Sequence, residues 1–212
     1  MKKILLIGDS IRQGYDKFVK LAYEGKAEVY YPEENCRFAE YVLRNLHEWA
    51  IQSGCGYDVD CIHWNAGLWD VIILFNDGTL TPIEVYKSYI ERICKRINLI
   101  FPNAKVIFAT STPVIEEKYG ENFKRFNKDI EAYNEVAVEV AKTNGFTIND
   151  LYALLKNVPS EYHSDMTHYY TKEATKVITE KVVMEIERCI GVKADSVDYD
   201  THFSKKEDVL GK

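Results

Sequence analysis

The chain has 212 residues, 46% hydrophobic and 28% charged, with a formal net charge of −6. That length suits one domain with a sizeable core, and the composition is that of an ordinary soluble globular protein. The acidic balance without a basic cluster argues against a nucleic-acid partner, and no apolar run approaches membrane-spanning length.

Lys2-Lys3 resembles the charged start of a secretory signal, but the apolar run behind it covers only residues 4–7. A signal needs about 7–15 apolar residues. The five cysteines, Cys36, Cys55, Cys61, Cys94 and Cys189, are odd in number and lack metal-ligand spacing. They read as reduced thiols, and a cytoplasmic location is expected.

The first element is a strand over residues 4–7, an unbroken apolar run ending in Gly8-Asp9-Ser10. Such a run suits a strand buried on both faces of a parallel sheet. An amphipathic stretch over 15–23 follows, so Ser10 is expected where a central strand turns into a helix. Asp9 and Ser10 equally suit a helix cap. A second strand is expected over 27–31, stopped by Pro32. After a polar loop, Phe38, Tyr41, Val42, Leu46, Trp49 and Ala50 recur at helical spacing, which predicts a helix over 36–53.

A third strand is expected over 58–64, then the loop Asn65-Ala66-Gly67-Leu68-Trp69-Asp70. Asn76-Asp77-Gly78 is a turn signal. Thr81-Pro82 opens a helix over 83–100. The fourth strand covers 105–110, and a charged segment over 116–125 leads into a helix over 123–143. A short strand over 146–149 and a short helix over 151–156 precede a loop and a last helix over 171–190. Strands alternating with helices predict βαβ units and a parallel sheet covered on both faces. The polar stretch 191–212 reads as an extension of the 1–190 domain, either loosely attached or an arm onto another subunit. Self-association is left open.

The suspicious polar residues all follow strands: Ser10 the first, Cys36 and Arg37 the second, Asn65 the third. The loop before the last helix holds His163-Ser164-Asp165-Met166-Thr167-His168. In a parallel sheet these ends share one edge, so distant residues converge. A serine hydroxyl needs a neighbouring base to become a nucleophile, and the base needs an orienting carboxylate. Ser10, His168 and Asp165 supply those types. Acyl transfer also needs donors to a developing oxyanion. The candidates are the N–H of Ser10, the N–H of Cys36 and the side-chain amide of Asn65. Blander roles exist for each: Asp165 as a turn cap, His168 as a paired buried histidine, Asn65 as a turn residue.

Gly8-Asp9-Ser10, Asn65 in Trp64-Asn65-Ala66-Gly67, and Asp165-Met166-Thr167-His168 together resemble blocks of the SGNH hydrolases, or GDSL esterases and lipases. The resemblance spans residues 1–190. It departs from the family at Cys36, where a glycine is usual, at His63-Trp64-Asn65-Ala66 in place of Gly-x-Asn-Asp, and at Ile11 in place of leucine. It implies a three-layer α/β/α sandwich with a five-stranded parallel sheet. It also implies ester hydrolysis through an acyl-enzyme, without metal or cofactor. Asn35-Cys36-Arg37 and the tryptophans of the third block look closest to acetylesterases acting on sugars. Trp64, Trp69 and Tyr15 are then candidates for stacking on a sugar ring, and Asp9, Arg12 and Arg37 for further substrate contacts.

Two other readings compete. A metal-dependent phosphoesterase would use Asp9, Asp70, Asp165 and His168 as ligands. A flavodoxin-like binding module would need a glycine-rich phosphate cradle after the first strand, which Gly8-Asp9-Ser10-Ile11-Arg12 does not provide.

Overall fold

In the computed structural model, which describes residues 1–203, strands and helices alternate along the chain. The elements run β1 (Lys2–Ile7), α1 (Ser10–Ala22), β2 (Ala27–Tyr30), α2 (Ala39–Gln52), β3 (Cys61–Trp64), β4 (Ile73–Leu74), α3 (Ile83–Ile100), β5 (Lys105–Ala109), β6 (Phe123–Lys124), α4 (Asn127–Thr143), β7 (Thr147–Asn149), α5 (Leu151–Leu155), α6 (Lys172–Ile190) and α7 (Tyr199–His202). The main sheet has five strands in the order β2-β1-β3-β5-β7, every pairing parallel. One helical layer pairs α1 with α6, and the other sets α3 between α2 and α4. The protein is therefore a three-layer α/β sandwich.

The apolar runs explain the strands. Ile4, Leu5, Leu6 and Ile7 are all fully buried, as are Ile107, Phe108 and Ala109. A strand covered on both faces has no polar side to alternate with. The order reverses between β1 and β3, the switch point at which open α/β sheets leave a crevice at the strand ends. Ile7, Trp64 and Phe108 lie in register across β1, β3 and β5. The segments leaving these strands therefore start at one level.

Several expected boundaries shift. Helix α1 begins at Ser10, because the Asp9 side chain caps it by accepting the Ile11 N–H at 2.9 Å. Strand β3 is shorter than expected, starting at Cys61. Residues 123–124, expected as helix, instead pair antiparallel with β4, and α4 begins only at Asn127. The extension is not loose in its described part. The Asp195 N–H donates to the Ala22 carbonyl at 2.8 Å, and Tyr199 stacks on Phe18 at 5.3 Å. Residues 204–212 of the expected extension lie outside the described residues.

Candidate active site

The crevice between β1 and β3 collects the polar residues. Gly8 directly follows β1, and a Cβ there would stand 2.0 Å from the Asn65 side-chain oxygen and 2.9 Å from the Arg12 Cβ, so a larger residue would displace both. Asn65 leaves β3 with its N–H held by the Ile7 carbonyl at 3.1 Å, so its side chain lies across the end of β1. Ser10 follows at the first position of α1. Its N–H carries no hydrogen bond among the described residues and points from a helix start, where the dipole favours an anion.

The loop before α6 brings His168 over Ser10. The Met166 carbonyl accepts the Ile115 N–H at 2.9 Å, and the Tyr169 hydroxyl donates to the Pro113 carbonyl at 2.9 Å. These bonds pin the loop to the segment after β5. His168 Nε2 then lies 2.8 Å from the Ser10 hydroxyl, and Nδ1 lies 2.8 Å from Asp165 Oδ2. The carboxylate also accepts the backbone N–H groups of Thr167 and His168 at 2.7 and 2.8 Å. Burial pushes the Asp165 carboxyl up, but its bonds from the His168 ring and these two N–H groups outweigh that and hold it well below the usual carboxylate range.

Tyr170 braces this arrangement. Its ring stacks on His168 at 4.8 Å, and its hydroxyl donates to the Ser10 carbonyl at 2.6 Å. The ring passes over Gly14, where a Cβ would meet it at 2.9 Å. A larger residue at position 14 would push the tyrosine, and with it the histidine, off the serine.

Several expected site residues serve the fold instead. Asp9 is fully buried and caps α1, so it cannot touch a substrate. Burial raises its pKa, and the Ile11 N–H, the Asn65 side chain, His168 and Arg125 oppose that rise. The Asn65 side chain approaches Asp9 without a hydrogen bond of ordinary geometry, and Asp9 Oδ2 has no partner. Arg12 is 1% exposed, ion-paired with Asp16 and bonded to the Glu34 carbonyl at 2.6 Å. Its inward helix face removes it from the cleft. Trp64 is fully buried, packed edge-on against Phe108 at 4.9 Å, and Tyr15 is 1% exposed. Neither offers a face to a sugar: Trp64 ends a strand covered on both sides, and Tyr15 lies on the inward face of α1 against His63.

Cys36 is a further correction. Its N–H donates to the Gly8 carbonyl at 3.1 Å, so it is occupied rather than free for an oxyanion. Trp69 is half-buried in the loop after β3, and Arg37 is exposed. Arg37 takes a left-handed φ of 53° and sets its guanidinium over Tyr41 at 4.9 Å.

The metal ligand set does not assemble. Asp70 is fully buried and accepts the Ala39 N–H at 3.1 Å. Among the described residues no three His, Cys, Asp or Glu side chains are placed to hold a metal ion.

Two residues at the site, Tyr119 and Arg125, belong to no motif, and they meet Thr167 of the histidine loop. Thr167, next to His168, meets the Tyr119 hydroxyl at 2.6 Å. Arg125, just after β6, donates to the Leu68 carbonyl at 2.6 Å and to the Tyr119 and Thr167 hydroxyls at 3.2 and 3.3 Å. The charged stretch that holds Arg125 and Tyr119 was visible in the sequence; its approach to the histidine loop was not. Ser10, Asp165 and His168 are each half-buried. A cleft of about 470 Å³ lies elsewhere, along β2, lined by Lys20, Tyr31, Glu34 and Trp49 among others.

No family model matches the sequence, and no curated protein sequence matches it. Solved structures do match in fold. A lipase/acylhydrolase from Enterococcus faecalis aligns with a TM-score of 0.69 at 19% identity, covering 93% of this chain and 100% of that one. A GDSL-like lipase from Bacteroides thetaiotaomicron aligns with a TM-score of 0.68 at 17% identity, covering 89% of each. A catalytic mutant of an acetylxylan esterase from Geobacillus stearothermophilus aligns with a TM-score of 0.64 at 14% identity, covering 87% of this chain and 94% of that one. At these identities the likeness establishes architecture, and the chain has the fold of the GDSL-like lipases and acylhydrolases over nearly its whole length.

Proposed function

We propose that the protein is a serine ester hydrolase of the SGNH (GDSL) family, acting on small acyl esters, acetyl esters of carbohydrates foremost. The observation that carries this reading is the continuous chain of contacts from Asp165 through His168 to Ser10. Ser10 Oγ attacks the acyl carbon while His168 Nε2 takes its proton. Asp165 holds the ring by Nδ1 and stabilises the imidazolium. The oxyanion is held by the Ser10 N–H and the Asn65 amide. Collapse of the tetrahedral intermediate breaks the ester C–O bond, and His168 returns the proton to the leaving alcohol. Water, activated by the same histidine, then releases the acid and restores Ser10.

The fold-level neighbours support acyl-ester chemistry, since one is named a lipase/acylhydrolase and another an acetylxylan esterase. The test is hydrolysis of 4-nitrophenyl acetate by the protein and by Ser10→Ala. The substitution is expected to lower kcat by about 10⁴-fold or more. Undiminished turnover by the variant would remove the nucleophile from the reading.

A further inference from the structure

Arg125 is an unusual residue to find beside this site. It is 5% exposed, yet no ion pair joins it to any carboxylate among the described residues. Buried charges are normally paired, because an unpaired one is costly to take out of water. A guanidinium has five N–H donors. Three are used on neutral oxygens: Nε on the Leu68 carbonyl, and Nη1 on the Tyr119 and Thr167 hydroxyls. The two donors on Nη2 have no acceptor among the described residues. Nη2 is also absent from the buried atoms that lack partners, so it reaches solvent.

Its bonded edge ties the guanidinium to the two loops that carry Asn65 and His168. Leu68 lies in the loop that leaves Asn65, and Thr167 adjoins His168. Asp9, next to Ser10, senses the Arg125 charge, although the two form no ion pair. The guanidinium is held from behind by the Tyr119 and Phe123 rings, at 5.9 and 5.2 Å. It is thus a fixed cation, hydrogen-bonded on one edge and open on the other, tied to the Asn65 loop through Leu68 and to the histidine loop through Thr167. A guanidinium edge of this kind matches a carboxylate.

We propose that Arg125 is a specificity residue that binds a carboxylate carried by the ester substrate, so that the preferred substrate is an anionic ester. This rests on the esterase reading above. The anion could sit on either side of the scissile bond, so the experiment has two matched pairs. On the alcohol side, acetylated glucuronic acid is compared with glucose acetylated at the same hydroxyl. On the acyl side, 4-nitrophenyl hydrogen succinate is compared with 4-nitrophenyl butyrate.

In at least one pair the anionic member is expected to be favoured by roughly 10- to 100-fold in kcat/KM, the worth of one charge-assisted hydrogen bond to a well-placed carboxylate. Arg125→Met should bring that ratio close to one, and Arg125→Lys should keep part of it. Because Arg125 also ties Leu68 to Thr167, a measurement without substitution stands beside these. Free glucuronate or succinate should inhibit 4-nitrophenyl acetate hydrolysis at concentrations about tenfold below those needed of glucose or butanol. Equal rates within both pairs together with equal inhibition, or a preference that survives Arg125→Met, overturn the proposal and leave the esterase reading standing. Absence of turnover with every ester, 4-nitrophenyl acetate included, overturns both.

Discussion

Two histidines show how the same side chain is put to opposite uses in this molecule. His168 sits at the rim with about a quarter of its side chain exposed, between a carboxylate and a hydroxyl. His63 sits inside β3, fully buried, between the Tyr15 hydroxyl at 3.3 Å and the Asn149 amide at 3.0 Å. Burial pushes the His63 pKa down to about 4. It has neutral hydrogen-bonding neighbours, so the core holds it uncharged. The rim instead sets the Asp165 carboxylate at Nδ1 and the Ser10 hydroxyl at Nε2. One histidine is a buried polar strut. The other has the partners that proton transfer requires.

This contrast can be broken by substitution. The largest effect is expected at His168. His168→Ala should lower kcat for 4-nitrophenyl acetate by about 10⁴–10⁶-fold, while changing unfolding free energy by no more than about 1 kcal/mol, as for a partly exposed residue. A loss of both together would mean that the rim histidine is structural. Next comes Asn65→Ala, expected to cost about 10²–10³-fold in kcat, the usual worth of one oxyanion donor. KM should move little, because the lost bond forms mainly in the transition state. A rise in KM at constant kcat would place Asn65 in substrate binding instead.

The smallest effect lies in the core and concerns pH. The folded pKa of His63 is depressed, so between about pH 6.5 and 4 the unfolded chain binds the extra proton. The His63 contribution is therefore intact above pH 6.5 and is lost as pH falls toward 4, amounting to roughly 3 kcal/mol. Burial pushes Asp16 and Asp70 up to about 6, which tilts stability the other way over part of that range. The difference between the protein and His63→Gln isolates the histidine. It should shrink as pH falls from 6.5 to 4, and a flat difference would contradict a buried neutral ring.

The sheet was legible because strands covered on both faces are written as plain apolar runs, as at residues 4–7 and 106–109. The long helix Ile83–Ile100 was legible from its spacing and its proline start. The short sheet of β4 and β6 was not, since two residues carry no period. Among the site candidates, Ser10, Asp165, His168 and Asn65 could be named because each follows a strand or shares a short motif. Whether a residue beside them faces the cleft was not readable. Trp64 adjoins Asn65 in sequence but points into the core, and Arg12 lies two residues past Ser10 but turns toward Asp16. Hydrogen bonds made by main-chain groups, such as the Cys36 N–H on Gly8, leave no trace in side-chain types. Arg125 reaches the histidine loop through Thr167, 42 residues away in sequence, and the Asn65 loop through Leu68, 57 residues away, which spacing alone cannot reveal.

The central claim is that the Ser10 hydroxyl is the activated nucleophile of the molecule. The direct measurement is treatment of the protein with a fluorophosphonate, followed by mass mapping of the modified peptide. One phosphonyl group on Ser10, lost in His168→Ala, is the expected result. Labelling at another residue, or none at Ser10 in the folded protein, would contradict it.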